Sequence, residues 1–173
     1  LAEVGLVEEV SGVGGSRGRP SLVVRMNSTH NFVLAFDLGV DRIVAAAVGL
    51  GGEVLATIHR SREDGPYPVK KAIATILEST DELFASLPTG AVLVGVGIAI
   101  PGVVETKLGF IRKAPNLGWI DVPFGQLMTD SLHAHIGACP TVVLGNDANL
   151  GAVAEYVRGA ATATSSVVYL TGD

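Results

Sequence analysis

The chain has 173 residues, a formal net charge of −5, 48% apolar residues and only 17% charged residues. Globular domains usually carry about 25% charged residues, so this composition excludes a disordered chain and a generally basic nucleic-acid coat. The single cysteine, Cys139, excludes an internal disulfide framework and a multi-cysteine zinc site within this chain. The longest apolar stretch, Ala91–Val104, is interrupted by Pro101 and is shorter than the roughly 18 residues of a membrane span. Without a signal-peptide pattern, the chain is predicted to be soluble and cytoplasmic.

The first 31 residues predict a hairpin and a linker. Strands are expected at Leu6–Val10 and Leu22–Met26, on either side of a glycine-rich tip at residues 12–20. Gly5 stands where the C-cap of a preceding helix would be. A helix end, a strand, a basic tip and a second strand are typical of the end of a winged helix. Residues 27–31 are polar and lack periodicity, so they predict a linker.

The rest of the chain predicts a mixed α/β domain. Three apolar runs separated by turns, Phe32–Leu38, Ile43–Gly49 and Glu53–Arg60, predict an antiparallel meander. Apolar residues at spacings of three and four predict a helix from about Pro68 to Leu87. The continuous apolar run Val92–Ile100 predicts a central parallel strand. After an irregular stretch, the remaining predicted elements are a helix at Phe124–Ile136, a strand at Thr141–Leu144, a helix at Asp147–Arg158 and a buried strand at Val167–Thr171.

This order, β-β-β-α-β-α-β-α-β, favours the architecture of sugar kinases, actin and heat-shock ATPases over a Rossmann domain. A buried strand at Val167–Thr171 needs covering layers on both faces. We therefore expect the chain to be a piece of a larger protein.

Two glycine-containing turns are candidate ligand sites. In Asp37-Leu38-Gly39, a carboxylate at a strand end could hold Mg²⁺ while the backbone N–H groups approach phosphates. A plain hairpin turn explains the same residues. Gly102 follows Pro101 just past the end of a predicted central strand, where α/β sheets bind ligands. Close packing alone is the alternative explanation for a glycine at position 102.

Two further segments carry amides next to an aromatic or acidic residue. Asn116 lies in a predicted loop with Trp119, a combination common in sugar sites, although a packed loop with a structural tryptophan is the alternative. Asn146 and Asp147 lie at a junction of strand and helix, with Asp147 at or near the N-cap. There Asp147 could accept the proton of a sugar hydroxyl, and Asn146 could bond neighbouring hydroxyls. Simple N-capping is the alternative. The four histidines show no metal-ligand spacing, so no metal site is predicted.

Taken together, these segments resemble the ROK family (repressors, open reading frames and sugar kinases). The likeness spans roughly Phe32 to Thr171 and implies an actin-like, ribonuclease H-like sugar-kinase lobe. It implies a sugar site lined by Gly102, Asn116, Asn146 and Asp147, and Asp147 corresponds to the family's catalytic base. The matching segments are Asp37-Leu38-Gly39, Gly95–Val104, Gly109–Ile111, Ala114–Trp119, Asn146–Asn149, Glu155 and Gly159.

The resemblance also implies that Asp37 and Gly39 form the first phosphate-binding turn. The family's kinases usually continue there with Gly-Thr-Lys or similar, whereas this chain has Val40-Asp41-Arg42. The carboxylate of Asp41 beside phosphates should repel them, which disfavours ATP. The family's zinc motif and second glycine-rich phosphate loop would lie beyond Asp173.

The resemblance divides the chain into the end of a winged helix-turn-helix (1–26), a linker (27–31) and a truncated N-terminal lobe (32–173). Sugar kinases of the family generally lack the first part. Arg17 and Arg19 at the wing tip would contact DNA phosphates or the minor groove.

We therefore expect a sugar-responsive transcriptional regulator of carbohydrate metabolism. It would bind a sugar or sugar phosphate between its lobes and operator DNA through the complete winged helix, as a homodimer or homotetramer. The alternative is an ATP-dependent, glucokinase-like sugar kinase, with Asp147 as general base and Mg-ATP at Asp37. A third possibility is a regulator that no longer binds sugar and responds to a protein partner.

Overall fold

The computed structural model describes residues 5–11, 22–27, 29–63, 65–138, 140–162 and 164–171. Within these ranges the chain forms ten strands and three α-helices. The strands are β1 (Val7–Ser11), β2 (Leu22–Met26), β3 (Asn31–Leu38), β4 (Arg42–Gly49), β5 (Val54–Ser61), β6 (Val92–Ile100), β7 (Val103–Glu105), β8 (Phe110–Ala114), β9 (Trp119–Val122) and β10 (Thr141–Asn146). The helices are α1 (Val69–Ser86), α2 (Phe124–Ile136) and α3 (Asp147–Arg158).

The main sheet has five strands in the order β10-β6-β3-β4-β5. β3, β4 and β5 form the predicted antiparallel meander, and β6 pairs in parallel with both β3 and β10. The register places Asp37 and Gly145 on either side of Ala99. The carboxyl ends of the three parallel strands therefore meet at one edge of the sheet, which is where open α/β sheets bind ligands.

One face of this sheet carries the core. Successive side chains of a strand point to opposite faces, and in β3 the buried apolar side chains are Phe32, Leu34, Phe36 and Leu38. They belong to one apolar cluster with residues of α1 and α2. These helices begin and end within one residue of the predicted bounds because their apolar spacing determines which side is buried.

The opposite face of the sheet carries small side chains, and α3 contacts it. Ala35, Ala46 and Gly97 line a shallow depression there together with Leu150 of α3. At its C-terminal end, α3 contacts the turn between β4 and β5, because the Arg158 guanidinium donates a hydrogen bond to the Gly51 carbonyl at 2.8 Å. The small side chains leave space between this part of the sheet and α3, since a Cβ added to Gly97 would meet no atom within 4 Å.

The stretch between β6 and α2, predicted as irregular, is instead a three-stranded antiparallel sheet in the order β7-β8-β9. Its strands have three to five residues, too few for a periodic pattern in the sequence. On its exposed side, the carboxylates of Glu105 and Asp121 accept hydrogen bonds from Arg112 and raise the pKa of its guanidinium above the ordinary value.

The beginning of the described chain matches the predicted hairpin, since β1 and β2 pair antiparallel. Its tip at residues 12–20, with Arg17 and Arg19, lies outside the described residues. The predicted linker contains a turn in which the Asn27 side chain accepts hydrogen bonds from the N–H groups of Thr29 and His30.

The predicted last strand, Val167–Thr171, is wrong for the described residues. This segment lacks assigned strand pairing, and Val168 and Leu170 are 87% and 89% exposed. A strand needs a neighbour to pair with its backbone groups, and the described part of the chain supplies none here. None of the helices in the described ranges is both long and apolar enough to cross a bilayer.

Candidate functional site

A cavity of about 320 Å³ opens at the edge of the main sheet where β3 ends and α3 begins. It combines two acidic side chains with one basic side chain, next to a helix N-terminus that favours negative charge. The predicted phosphate turn and the predicted catalytic base therefore lie on the same cavity. Its lining includes Asp37, Gly39, Arg42, Asp147, Leu150 and Thr171.

Asp147 is the first residue of α3 and is half-buried at the cavity. Its carboxylate accepts a hydrogen bond from the backbone N–H of Ala148 at 2.8 Å. The exposed N–H groups of the first helical turn stabilise a negative charge at this position. The carboxylate oxygens can therefore also accept hydrogen bonds from ligand hydroxyls.

The N-cap of α3 is Asn146 and not Asp147. The Asn146 Oδ1 accepts from the N–H of Asn149 at 3.0 Å, and its Nδ2 donates to the carbonyl of Gly102 at 2.9 Å. A carboxamide has two N–H donors and two lone pairs, so one donor and one lone pair remain for other partners. Asn146 therefore combines capping with a link to the turn after β6.

Gly102 lies in a crowded turn. A Cβ at this position would be 2.4 Å from the carbonyl oxygen of Lys113 and 2.9 Å from the Cα of Ala114. Close packing against β8 thus accounts for the glycine, as the alternative explanation proposes. Gly102 is not part of the cavity lining, although Asn146 connects its carbonyl to α3.

Asn116 lies apart from this cavity, exposed in a short 3₁₀ turn at Pro115–Leu117 between β8 and β9. Its backbone carbonyl accepts a hydrogen bond from Arg62 at 3.2 Å. The neighbouring Trp119 is buried, and its indole Nε1 donates to the carbonyl of Tyr67 at 2.6 Å. Trp119 therefore belongs to the buried core, whereas Asn116 is exposed.

Asp41 follows Gly39 by two residues but does not line the cavity. Its side chain is 63% exposed and pairs with Arg42 at 3.4 Å, and the cavity lining includes Arg42 but not Asp41. Of Asp41 and Arg42, the residue that lines the cavity is therefore the cation. That Asp41 disfavours ATP stays a prediction.

Sequence reasoning missed Arg42 and Thr171 as cavity residues. Arg42 begins β4 directly after the glycine turn. Its place on the same cavity as Asp37 and Asp147 follows only from the fold. Thr171 ends the segment that was predicted as a buried strand. Within the described ranges, three or more His, Cys, Asp or Glu side chains never come close enough to hold a metal ion.

Comparison with known proteins gives a match to the model described as ROK family over residues 33–172. A xylose repressor of Caldicellulosiruptor bescii is 28% identical over 174 residues, covering 99% of this chain and 41% of that protein. A glucokinase of Halalkalibacterium halodurans is 28% identical over 145 residues, covering 83% of this chain and 42% of that protein. The chain thus spans about two fifths of the length of these curated relatives.

Two solved structures share the fold. A ROK family transcriptional regulator, described as a homolog of the E. coli MLC protein, matches with a TM-score of 0.66 and 23% identity, over 91% of this chain and 38% of that one. A ROK family glucokinase from Streptomyces griseus, in complex with glucose and AMPPNP, matches with a TM-score of 0.55 and 28% identity, over 75% of this chain and 37% of that one. These likenesses confirm the predicted α/β lobe of the sugar-kinase type.

Proposed function

The chain belongs to the ROK family, and on that premise we propose that it is part of a sugar-responsive transcriptional repressor of carbohydrate metabolism. The observation that carries this proposal is the β1–β2 hairpin ahead of the lobe, which the family's sugar kinases generally lack. The similar xylose repressors align over 98 or 99% of the chain, hairpin included, whereas the glucokinases align over 80 or 83%. In this proposal, residues 1–26 end a winged helix-turn-helix, 27–31 link it to the lobe, and 32–173 begin the sugar-binding domain.

The sugar would bind near the N-terminus of α3. Hydroxyl groups donate hydrogen bonds to a carboxylate and exchange them with carboxamides, which suits Asp147 and the remaining donor of Asn146. Asn116, on the exposed loop, would contact the sugar from another side, and the turn at Gly102 would support the site through Asn146. The charges of the cavity lining, two carboxylates and one guanidinium, support a hydroxyl-rich ligand.

A direct path connects this site to the hairpin. The N–H of Asn27 donates to Leu6 at 3.0 Å, and the buried side chain of Asn31 donates to Gly5 at 3.0 Å. Asn31 begins β3, and Asp37 near the end of the same strand lines the cavity. A sugar that favours one arrangement of the lobes would thereby change the position of the β1–β2 hairpin. The affinity for operator DNA would change with it.

The DNA contact itself would use Arg17 and Arg19, which contribute affinity through phosphates more than sequence choice. Because an operator has two related half-sites, we propose a homodimer or homotetramer. A protein that binds operator DNA works in the cytoplasm of a bacterial cell, which is the location that we propose.

The second candidate is an ATP-dependent sugar kinase, and one observation favours it: Asp37 and Asp147 lie on the same cavity with Arg42. Carboxylate oxygens are ligands that Mg²⁺ prefers, and a guanidinium suits a phosphate, so these residues fit Mg-ATP. Mg-ATP would supply the phosphoryl group. Asp147 would accept the proton of the sugar hydroxyl as the hydroxyl oxygen attacks this phosphoryl group.

The experiment that separates the candidates uses the full-length protein with DNA from upstream of its own gene. Operator affinity is measured by fluorescence anisotropy with and without xylose, glucose, N-acetylglucosamine and fructose, and ATP consumption is measured with the same sugars. We expect one sugar to change the operator affinity, without turnover. Turnover of about 1 s⁻¹ or faster, which is ordinary for enzymes, contradicts the repressor. An operator affinity that no sugar changes points to the third possibility, regulation by a protein partner.

A further inference from the structure

The guanidinium of Arg62 connects three separate segments of the lobe. Its Nε donates to the carbonyl of Gly39 at 2.9 Å, and its two terminal nitrogens donate to the carbonyls of Gly65 and Asn116, each at 3.2 Å. Gly39 belongs to the predicted phosphate turn and Asn116 to the predicted sugar loop. One half-buried side chain therefore bridges two parts of the proposed site that are 77 residues apart in sequence (116 − 39).

The segment that carries Arg62 also supports the Asn116 loop by other contacts. The N–H of Tyr67 donates to the carbonyl of Leu117 at 2.9 Å, and Trp119 donates to the carbonyl of Tyr67. A Cβ on Gly118 would lie 3.2 Å from Pro66, so the loop rests closely on this segment. These contacts hold the loop against the start of α1, but none of them reaches the Gly39 turn.

We propose that Arg62 is a positioning residue that fixes the Asn116 loop relative to the Gly39 turn. The inference rests on the proposed sugar site, whose two sides it holds at a fixed separation. Arg62 acts through the backbone of these partners, because its three hydrogen bonds are to carbonyl oxygens. A ligand that touches both sides then finds them already in place, and its binding does not have to order the loop.

The contacts depend on the shape of the arginine side chain as well as on its charge. A guanidinium is planar and offers five N–H donors in a fixed fork, whereas a lysine ammonium is a compact point charge. Lysine at this position can therefore keep the charge, but it cannot reach the three carbonyls in their different directions. The guanidinium of Arg62 also stacks over the ring of Tyr67, with 5.0 Å to the ring centroid.

Arg60 offers a matched control from the same end of β5. It is also a half-buried arginine, and it donates to the side chains of Ser79 and Glu82 on α1. Replacing Arg60 therefore removes a guanidinium with a comparable number of contacts, while the Gly39 turn and the Asn116 loop keep theirs.

The experiment compares Arg62→Lys, Arg62→Gln and Arg60→Gln in the full-length protein. The first measurement is amide hydrogen exchange at Tyr67 and Gly118, whose N–H groups are bonded to this loop or within it. The second is calorimetric titration with whichever of xylose, glucose, N-acetylglucosamine and fructose binds the wild-type protein most tightly. We expect both Arg62 variants to exchange these amides about tenfold faster and to bind the sugar about tenfold more weakly, since a tenfold change corresponds to the net contribution of about one hydrogen bond. We expect Arg60→Gln to stay within about twofold of the wild type in both measurements.

Wild-type exchange and wild-type affinity in Arg62→Lys would overturn the inference, because charge alone would then suffice. Equal changes in Arg60→Gln would also overturn it, since the effect would then be a general loss of stability. If the wild-type protein binds no sugar, the proposed function fails, and the exchange measurement still decides whether Arg62 positions the loop.

Discussion

The side chain of Asn146 donates a hydrogen bond to the carbonyl oxygen of Gly102 at 2.9 Å while its other end caps α3. One carboxamide thereby joins the N-terminus of a helix to the turn that follows the central strand. Asp147, the proposed sugar ligand, is the next residue. Its position thus depends on a neighbour whose two ends are anchored in different elements.

The two roles of Asn146 can be separated by substitution. Asn146→Ala removes the cap and the link, and we expect it to lower the free energy of unfolding by about 2 kcal/mol, about 1 for each. Asn146→Asp keeps an N-cap acceptor but places a carboxylate oxygen against the Gly102 carbonyl. We expect that variant to lose about 1 kcal/mol, as measured by urea unfolding of the full-length protein. If Asn146→Asp is as stable as wild type, the link to Gly102 contributes nothing.

Gly102 tests the packing of the same turn from its other side. Gly102→Ala brings a Cβ to 2.4 Å from the Lys113 carbonyl, so the backbone must shift, and overpacking of this kind costs about 1–3 kcal/mol. Gly97→Ala is the control, since a Cβ there would meet no atom within 4 Å. The measurement is the midpoint of thermal unfolding of both variants. Equal midpoints would contradict the close approach.

The core makes a separate prediction about stability. Phe32 is fully buried and meets Phe84 edge to face, with ring centroids 5.6 Å apart. Phe32→Ala should lower the free energy of unfolding by about 3–5 kcal/mol, the usual range for large aromatic truncations. Val54→Ala, at a position that is 60% exposed, should change it by no more than about 0.5 kcal/mol. Denaturant unfolding measures both, and similar losses would contradict the placement of Phe32.

The sequence was sufficient for the elements that have a long periodic pattern. α1 has its apolar residues at helical spacing and β6 is a continuous apolar run, and both fold within one residue of their expected bounds. β7, β8 and β9 could not be predicted, because strands this short are stabilised by their neighbours and not by a pattern of their own. The strand expected at Val167–Thr171 has the right composition but no described strand beside it.

The site shows a similar division. Sequence motifs brought out Asp37 and Asp147, which the fold places on one cavity. They could not tell which of Asn146 and Asp147 is the N-cap, because both residue types cap helices well. Nor could they reveal Arg62, because its partners are backbone carbonyls, which every residue possesses.

The most direct test of the proposed sugar site is calorimetric titration of the full-length protein and its Asp147→Asn variant with neutral monosaccharides. Asparagine has nearly the same shape, but an ionised hydrogen-bond acceptor is lost, and hydrogen bonds to charged groups contribute about 1.5–3 kcal/mol. We expect saturable binding of at least one sugar by the wild-type protein, and binding at least about tenfold weaker by a variant with an unchanged melting temperature. Equal affinity of the two proteins for that sugar would contradict a sugar site at Asp147. So would a wild-type protein that gives no heat of binding with any of the sugars.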